Sequence, residues 1–163
     1  MQNMKKSSVI TGILLLVLTT GVFGGFIANL IIQDKAGVYQ GAIALPGLFP
    51  SQTLMIILQF VILACLGLAF FIISKNTVNV NRRKNVLINS FIFLGLIYSW
   101  NYMLFSAGNI TGALVLSIAG LVLGLIDLVM AALVDQRAGG LFIPANLWMI
   151  FLIILSIFLK VQN

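Results

Sequence analysis

The sequence predicts an all-α integral membrane bundle of five transmembrane helices, and three observations lead there. Of 163 residues, 61% are hydrophobic and 7% are charged. Histidine and glutamate are both absent. The apolar residues fall into five long runs, about residues 9–32, 52–74, 86–107, 111–134 and 139–160. Each exceeds the ~20 residues that carry a helix across a hydrocarbon core about 30 Å thick. A water-soluble domain of this composition would lack the polar surface to cover itself. Lipid removes that demand and requires every backbone amide to pair internally, which selects helices. The short connections make residues 1–163 a single five-helix domain, with no soluble domain expected at either end.

Span 1 follows Lys5 and Lys6. The run is too long for a signal-peptide core and no small-x-small cleavage site follows it, so it is read as a retained helix. It carries Gly21-x-x-x-Gly25, a spacing that lets two helix backbones approach closely. The connection from Gln33 to Ser51 is the longest, and includes Tyr39, Pro46, Phe49 and Pro50. It is too apolar for an ordinary solvated loop and is expected to fold over the mouth of the bundle, where loops carry function.

Span 2 carries Gln59 and the single cysteine, Cys65. One cysteine rules out an intrachain disulfide and a cysteine-rich metal site, and Cys65 reads as a small apolar filler. The basic cluster Arg82-Arg83-Lys84 precedes span 3 and is expected at anionic head groups. Span 3 carries Asn89, Trp100 and Asn101. Gly108-Asn109 signals a tight turn, so spans 3 and 4 are expected to be adjacent and antiparallel.

Span 4 carries Gly120-x-x-x-Gly124 and Asp127. The paired glycines serve either packing within the bundle or the seam of a homodimer. An intramembrane carboxylate is costly and marks a functional candidate. The alternative for Asp127 is a protonated or interfacial acid that reaches Lys75 or Arg137. In either case it is expected to face another helix and not lipid. Span 5 carries Asn146. Gln59, Asn89, Asn101 and Asn146 are expected to hydrogen-bond across helices.

Charge sets the expected orientation. If five spans alternate sides, Lys5, Lys6, Lys75, Arg82, Arg83, Lys84 and Arg137 share one side, and Lys35 and Lys160 the other. By the positive-inside rule the N-terminus is cytoplasmic and the C-terminus outside, in a multi-pass protein of the cell membrane. The net charge of +6 therefore reports topology and does not point to nucleic acid. Ordinary hydrolytic, transfer or metal chemistry has little support. No histidine, carboxylate pair, phosphate loop or activated nucleophile is present, so no catalytic or metal-binding residue is assigned.

The C-terminal third holds the most specific pattern. Ala138-Gly-Gly-Leu141-Phe142-Ile143-Pro144 is followed by Trp148, Phe151 and a closing Asn163. Ile97-Tyr-Ser-Trp100-Asn101-Tyr-Met-Leu104-Phe105 lies in span 3, and Pro46-Gly-Leu48-Phe49-Pro50-Ser51 precedes span 2. These stretches resemble the TspO/MBR family, the bacterial tryptophan-rich sensory proteins and the mitochondrial translocator protein. That family has an Ala, then Leu-Leu-x-Pro-Tyr-x-x-Trp, then a Phe and a closing Asn. Its third helix carries Asn-x-x-Trp-Ser-x-x-Phe-Phe, and its loop carries Pro-x-Trp-x-Pro-Pro. Pro144, Trp148, Phe151, Asn163, Trp100, Phe105, Pro46 and Pro50 fall in step. The chain departs at several aromatic positions. Leu48 stands for the loop Trp, Ser51 for the second Pro, Gln59 for a Trp and Leu63 for a Tyr of the second helix. Ile97 stands for the third helix's Asn, and Ala145 for the Tyr after the proline.

The resemblance implies a protein that binds a flat hydrophobic small molecule, a porphyrin or haem-like tetrapyrrole, with a sensory or transport role and no required cofactor. It implies a pocket within the bundle, beneath the connection of spans 1 and 2. Tyr39, Pro46 and Phe49 would form the lid, Trp100 and Trp148 the aromatic faces with Phe151 beside them, and Asn101 a polar anchor. The alternatives are a slow porphyrin-degrading membrane enzyme, weakened by the missing tryptophans, and a transporter or structural partner of another membrane complex.

Overall fold

Backbone pairing in this chain is entirely helical over the residues that a computed structural model describes, 51–76 and 80–163. The helices are α1 (Gln52–Lys75), α2 (Val80–Asn101), α3 (Ile110–Ala132), α4 (Gln136–Leu141) and α5 (Ile143–Gln162). A π-helical turn, Tyr102–Ser106, continues α2. Among the described residues, four helices are long and apolar enough to cross a membrane: α1, α2 with its π turn, α3, and α4 with α5 taken together. They correspond to spans 2 to 5. Span 1 and the connection that follows it lie outside the described residues.

The distribution of apolar side chains is that of a bundle in lipid. Leu54, Ile57, Phe60, Val61 and Leu68 of α1 face outward. So do Val115, Ile118, Val122, Ile126 and Val129 of α3, and Leu147, Ile150, Ile154 and Ile157 of α5. Outward apolar stripes on this scale are incompatible with water and natural in a bilayer. The interior holds Leu66, Phe70 and Ile73 of α1, Leu87 and Phe93 of α2, and Met149, Leu152 and Leu155 of α5.

α3 is the central element, and its interfaces with α2 and α5 are the most extensive. α2 and α3 are adjacent and antiparallel, as the Gly108-Asn109 turn requires. Gly108 adopts φ 62°, the left-handed region that favours glycine. Asn109 caps α3 by accepting from the Gly112 amide at 2.8 Å. The Gly120-x-x-x-Gly124 pair is used within the chain. A Cβ on Gly120 would run into Met149, and one on Gly124 would stand 2.7 Å from Asn146 Oδ1 and 2.9 Å from the Phe93 ring.

Three features differ from the sequence expectation. Span 3 begins earlier, at Val80, so Arg82, Arg83 and Lys84 lie in the first turns of α2 and not in a loop. Arg83 is buried, and its Nη1 donates to the carbonyls of Ser74 at 3.2 Å and Asn76 at 2.9 Å. A guanidinium satisfies several acceptors at once, and here it ties the end of α1 to the start of α2. Asn76 Nδ2 donates to Val134 O at 2.8 Å and Arg82 Nη1 to Leu133 O at 3.5 Å, which ties in the end of α3. Span 5 begins at Gln136 and is jointed at Phe142. Pro144 has no amide hydrogen to give to the preceding turn, so the helix steps there. Span 3 ends in the π turn, where the Ala107 amide bonds Tyr102 O, five residues back.

Candidate functional site

The polar side chains of the spans bond across helices. Gln59 Nε2 of α1 donates to Asn101 Oδ1 of α2 at 2.8 Å, with both residues buried. Asn101 Nδ2 donates to Ile97 O of its own helix at 3.2 Å. Asn89 Nδ2 approaches Met130 Sδ at 3.6 Å, linking α2 to α3. Asn146 Nδ2 of α5 donates to Gly124 O of α3 at 3.1 Å. Each of these four amides of the described spans thus finds a cross-helix partner.

The two tryptophans have different environments. Trp100 is fully buried, and its Nε1 donates to Ser156 Oγ at 3.2 Å. Its ring meets Phe105 edge-on, centroids 6.2 Å apart at 81°. That contact depends on the π turn, because residues five apart do not share a face of a regular α-helix. Trp148 is also buried, but its Nε1 has no hydrogen-bond partner among the described residues. Its ring lies against Phe151, centroids 5.3 Å apart at 30°. An indole N–H buried without an acceptor is uncommon, because leaving a buried donor unsatisfied costs about 1–3 kcal/mol.

Trp148 borders a narrow crevice with Gln59, Ile62 and Leu63 of α1 and Ile97 and Tyr98 of α2. The crevice is too tight to admit water. Its lining combines an apolar wall, the aromatic side chains of Tyr98 and Trp148, and the primary amide of Gln59. This set suits a flat apolar molecule that carries at least one hydrogen-bond acceptor. No histidine, acid or thiol lines it. No group of three or more metal-binding side chains occurs among the described residues.

Of the expected site residues among those described, Trp148 alone lines the crevice; Asn101 bonds the lining Gln59 and Phe151 packs on Trp148, and neither is itself a lining residue. Trp100 packs between α2 and α5 and is not among the lining residues. Tyr39, Pro46 and Phe49 lie outside the described residues. The lining residues Ile62 and Tyr98 were not singled out by the sequence reading, because nothing in their spacing distinguishes them from packing residues. Leu63 and Ile97 were noted only as departures from a family pattern, and Gln59 as a departure and as a cross-helix hydrogen-bonding amide.

A multi-pass helical membrane protein with an apolar interior crevice is the class that these features define. The chain belongs to the TspO/MBR family, whose model matches residues 13–161, nearly the whole length. A comparison with curated proteins gave no match.

Proposed function

We propose that this protein binds a flat hydrophobic ligand of the tetrapyrrole class in the crevice between α1, α2 and α5, in a sensory or transport role. The observation that carries the reading is the buried Trp148 indole, whose N–H has no acceptor among the described residues and whose ring borders the crevice. A ligand carbonyl or carboxylate would supply the acceptor. The indole face, backed by Phe151, would stack on the ring. Gln59, held by Asn101, would orient a second polar group.

Ligand sites for drug-sized molecules span roughly 300–1,000 Å³, so the crevice must widen on binding. Separation of α1 from α2 and α5 is the favoured route, since α1 packs on each of them far less extensively than α3 does. Tyr39, Pro46 and Phe49 are proposed as the lid. Trp100 would support the site from behind. Three of the lining positions, Gln59, Leu63 and Ile97, are among those at which the chain departs from the family pattern. The loss of aromatic surface at Gln59 and Leu63 implies weaker and less selective binding than in a typical member, and slow or no ligand breakdown. The proposed orientation places the N-terminus in the cytoplasm, from the seven-to-two division of basic residues.

The test is a titration of the full-length protein in detergent with a panel of porphyrins, read by tryptophan fluorescence and porphyrin absorbance together. Saturable quenching in the micromolar range is expected, and Trp148→Phe should remove more of it than Trp100→Phe. No saturable change with any porphyrin, in protein that retains its helical spectrum, would refute the proposal.

A further inference from the structure

A second polar cluster lies at the junction of α2, α3 and α5, and the crevice does not include it. Asp127 is fully buried, and neither of its carboxyl oxygens has a hydrogen-bond partner among the described residues. Ser90 is equally buried with its hydroxyl unpartnered, and Asn146 is buried with its Oδ1 unpartnered. The register of the helices brings the three together. Gly124 stands one turn before Asp127, and a Cβ there would lie 2.7 Å from Asn146 Oδ1 and 2.9 Å from the Phe93 ring. Ser90 stands one turn before Phe93 on the antiparallel α2, which puts it opposite Asp127. Its hydroxyl is near enough to act on the carboxyl group but closes no bond to it. Helical side chains lean toward the helix N-terminus, so the Asp127 carboxyl leans back over Gly124 toward Asn146 Oδ1.

The count of hydrogens in this cluster is one short. Both Asn146 Nδ2 bonds are used, to Gly124 O at 3.1 Å and to Phe142 O at 3.0 Å. That leaves two carboxyl oxygens and one amide oxygen as acceptors, and the Ser90 hydroxyl as the sole hydrogen. None of the described charged groups makes up the deficit, and Arg137, a partner the sequence allowed for Asp127, is exposed. Arg82 and Arg83 bond backbone carbonyls of Leu133, Ser74 and Asn76. Lys75 stands over the Phe71 ring, 4.1 Å from its centroid. Asp135 accepts from the Arg137 amide at the start of α4. Lys84 is exposed, Lys160 lies at the far end of α5, and Tyr98 faces the crevice two turns beyond Ser90. An ionised carboxylate without a partner at this depth is costly.

We infer that Ser90, Asp127 and Asn146 form an intramembrane proton-binding site. One proton, taken from water, binds an Asp127 carboxyl oxygen and is donated in a hydrogen bond to Asn146 Oδ1. The Ser90 hydroxyl donates to the other carboxyl oxygen. Every buried polar atom of the cluster is then satisfied, and the bond between Asp127 and Asn146 joins α3 to α5 where Gly124 lets them approach. Release of the proton removes that bond and leaves a carboxylate facing an amide oxygen, which loosens the α3–α5 seam.

Infrared spectroscopy of the full-length protein in neutral-lipid nanodiscs tests this, because the chain has only three acids, Asp34, Asp127 and Asp135. A carboxylic-acid carbonyl band is expected at neutral pH, shifting in D2O and absent from Asp127→Asn. In Ser90→Ala the band should move to higher wavenumber, as a freed carbonyl does, and Asn146→Leu, which removes the acceptor of the carboxyl O–H, should shift it as well. These two variants keep the test decisive if Asp127→Asn does not fold. Absence of the band at neutral pH would overturn the inference, as would a band that persists in Asp127→Asn. A carboxylate band that responds to sodium and not to pH would assign the cluster to a metal ion and overturn the proton site.

Discussion

The hydrogen bond from Gln59 to Asn101 joins α1 to α2 at the crevice, and its energy is accessible to a double-mutant cycle. Gln59→Leu and Asn101→Leu each remove one partner and leave the other buried. The donor–acceptor distance is 2.8 Å and both side chains are at most 5% exposed, so water cannot readily replace the lost partner. Each single substitution should cost about 1–3 kcal/mol, the range for an orphaned buried polar group. The double variant should recover part of this, because two leucines leave no orphan at the bond. Cross-helix hydrogen bonds in membranes couple by about 0.6 kcal/mol on average and ~1.7 kcal/mol at most. A coupling of about 0.6 kcal/mol is a roughly threefold change in the unfolding equilibrium. Reversible unfolding in mixed micelles, followed by helical circular dichroism, measures all four proteins. A coupling below ~0.3 kcal/mol, the scatter of independent sites, would refute the claim that this bond braces the crevice.

Further expectations follow from other contacts. Gly124→Leu should destabilise the protein by about 1–3 kcal/mol or more through overpacking against Phe93 and Asn146, measurable by thermal unfolding in detergent. Arg83→Met should lower thermal stability and expose the junction of α1 and α2 to proteolysis, since the carbonyls of Ser74 and Asn76 lose their donor. Ser51→Ala should cost about 1 kcal/mol or less, because Ser51 Oγ accepts from the Leu54 amide at 3.3 Å in an exposed cap. Cysteine placed at position 3 in a Cys65→Ser background should resist labelling from outside intact cells, while cysteine at position 163 should label. The reverse pattern would overturn the proposed orientation.

Much of the helical layout was legible in the sequence because lipid imposes simple rules. Length and apolarity set spans 2 to 5 to within a few residues, apart from the early start of α2 and α4. Arg82, Arg83 and Lys84 look like a solvated loop, yet they begin α2, because Arg83 is held by terminal carbonyls that sequence spacing does not show. The π turn at Tyr102–Ser106 was hidden for a similar reason. It is defined by one shifted hydrogen bond and carries no composition signal. Gly108-Asn109 was readable because a left-handed turn requires particular residues.

The candidate site was legible in kind and less so in detail. Trp100 and Trp148 look alike as isolated indoles, and only the partners of their N–H groups separate them. Ser156 satisfies Trp100, and nothing among the described residues satisfies Trp148. Gln59 appeared in sequence as a lost tryptophan, and in the structure it is the polar edge of the crevice. Asp127 announced itself as a buried acid, but its relation to Ser90 and Asn146 depends on the register of three helices.

The most direct measurement is an experimental structure of the full-length protein with a bound porphyrin. The account predicts the macrocycle between α1, α2 and α5, its face on the Trp148 ring, with an acceptor of the ligand at hydrogen-bond distance from Trp148 Nε1 and the crevice widened by separation of α1 from α2 and α5. A porphyrin bound only at the lipid-facing surface, with Trp148 Nε1 bonded to another protein group and the crevice closed, would contradict it.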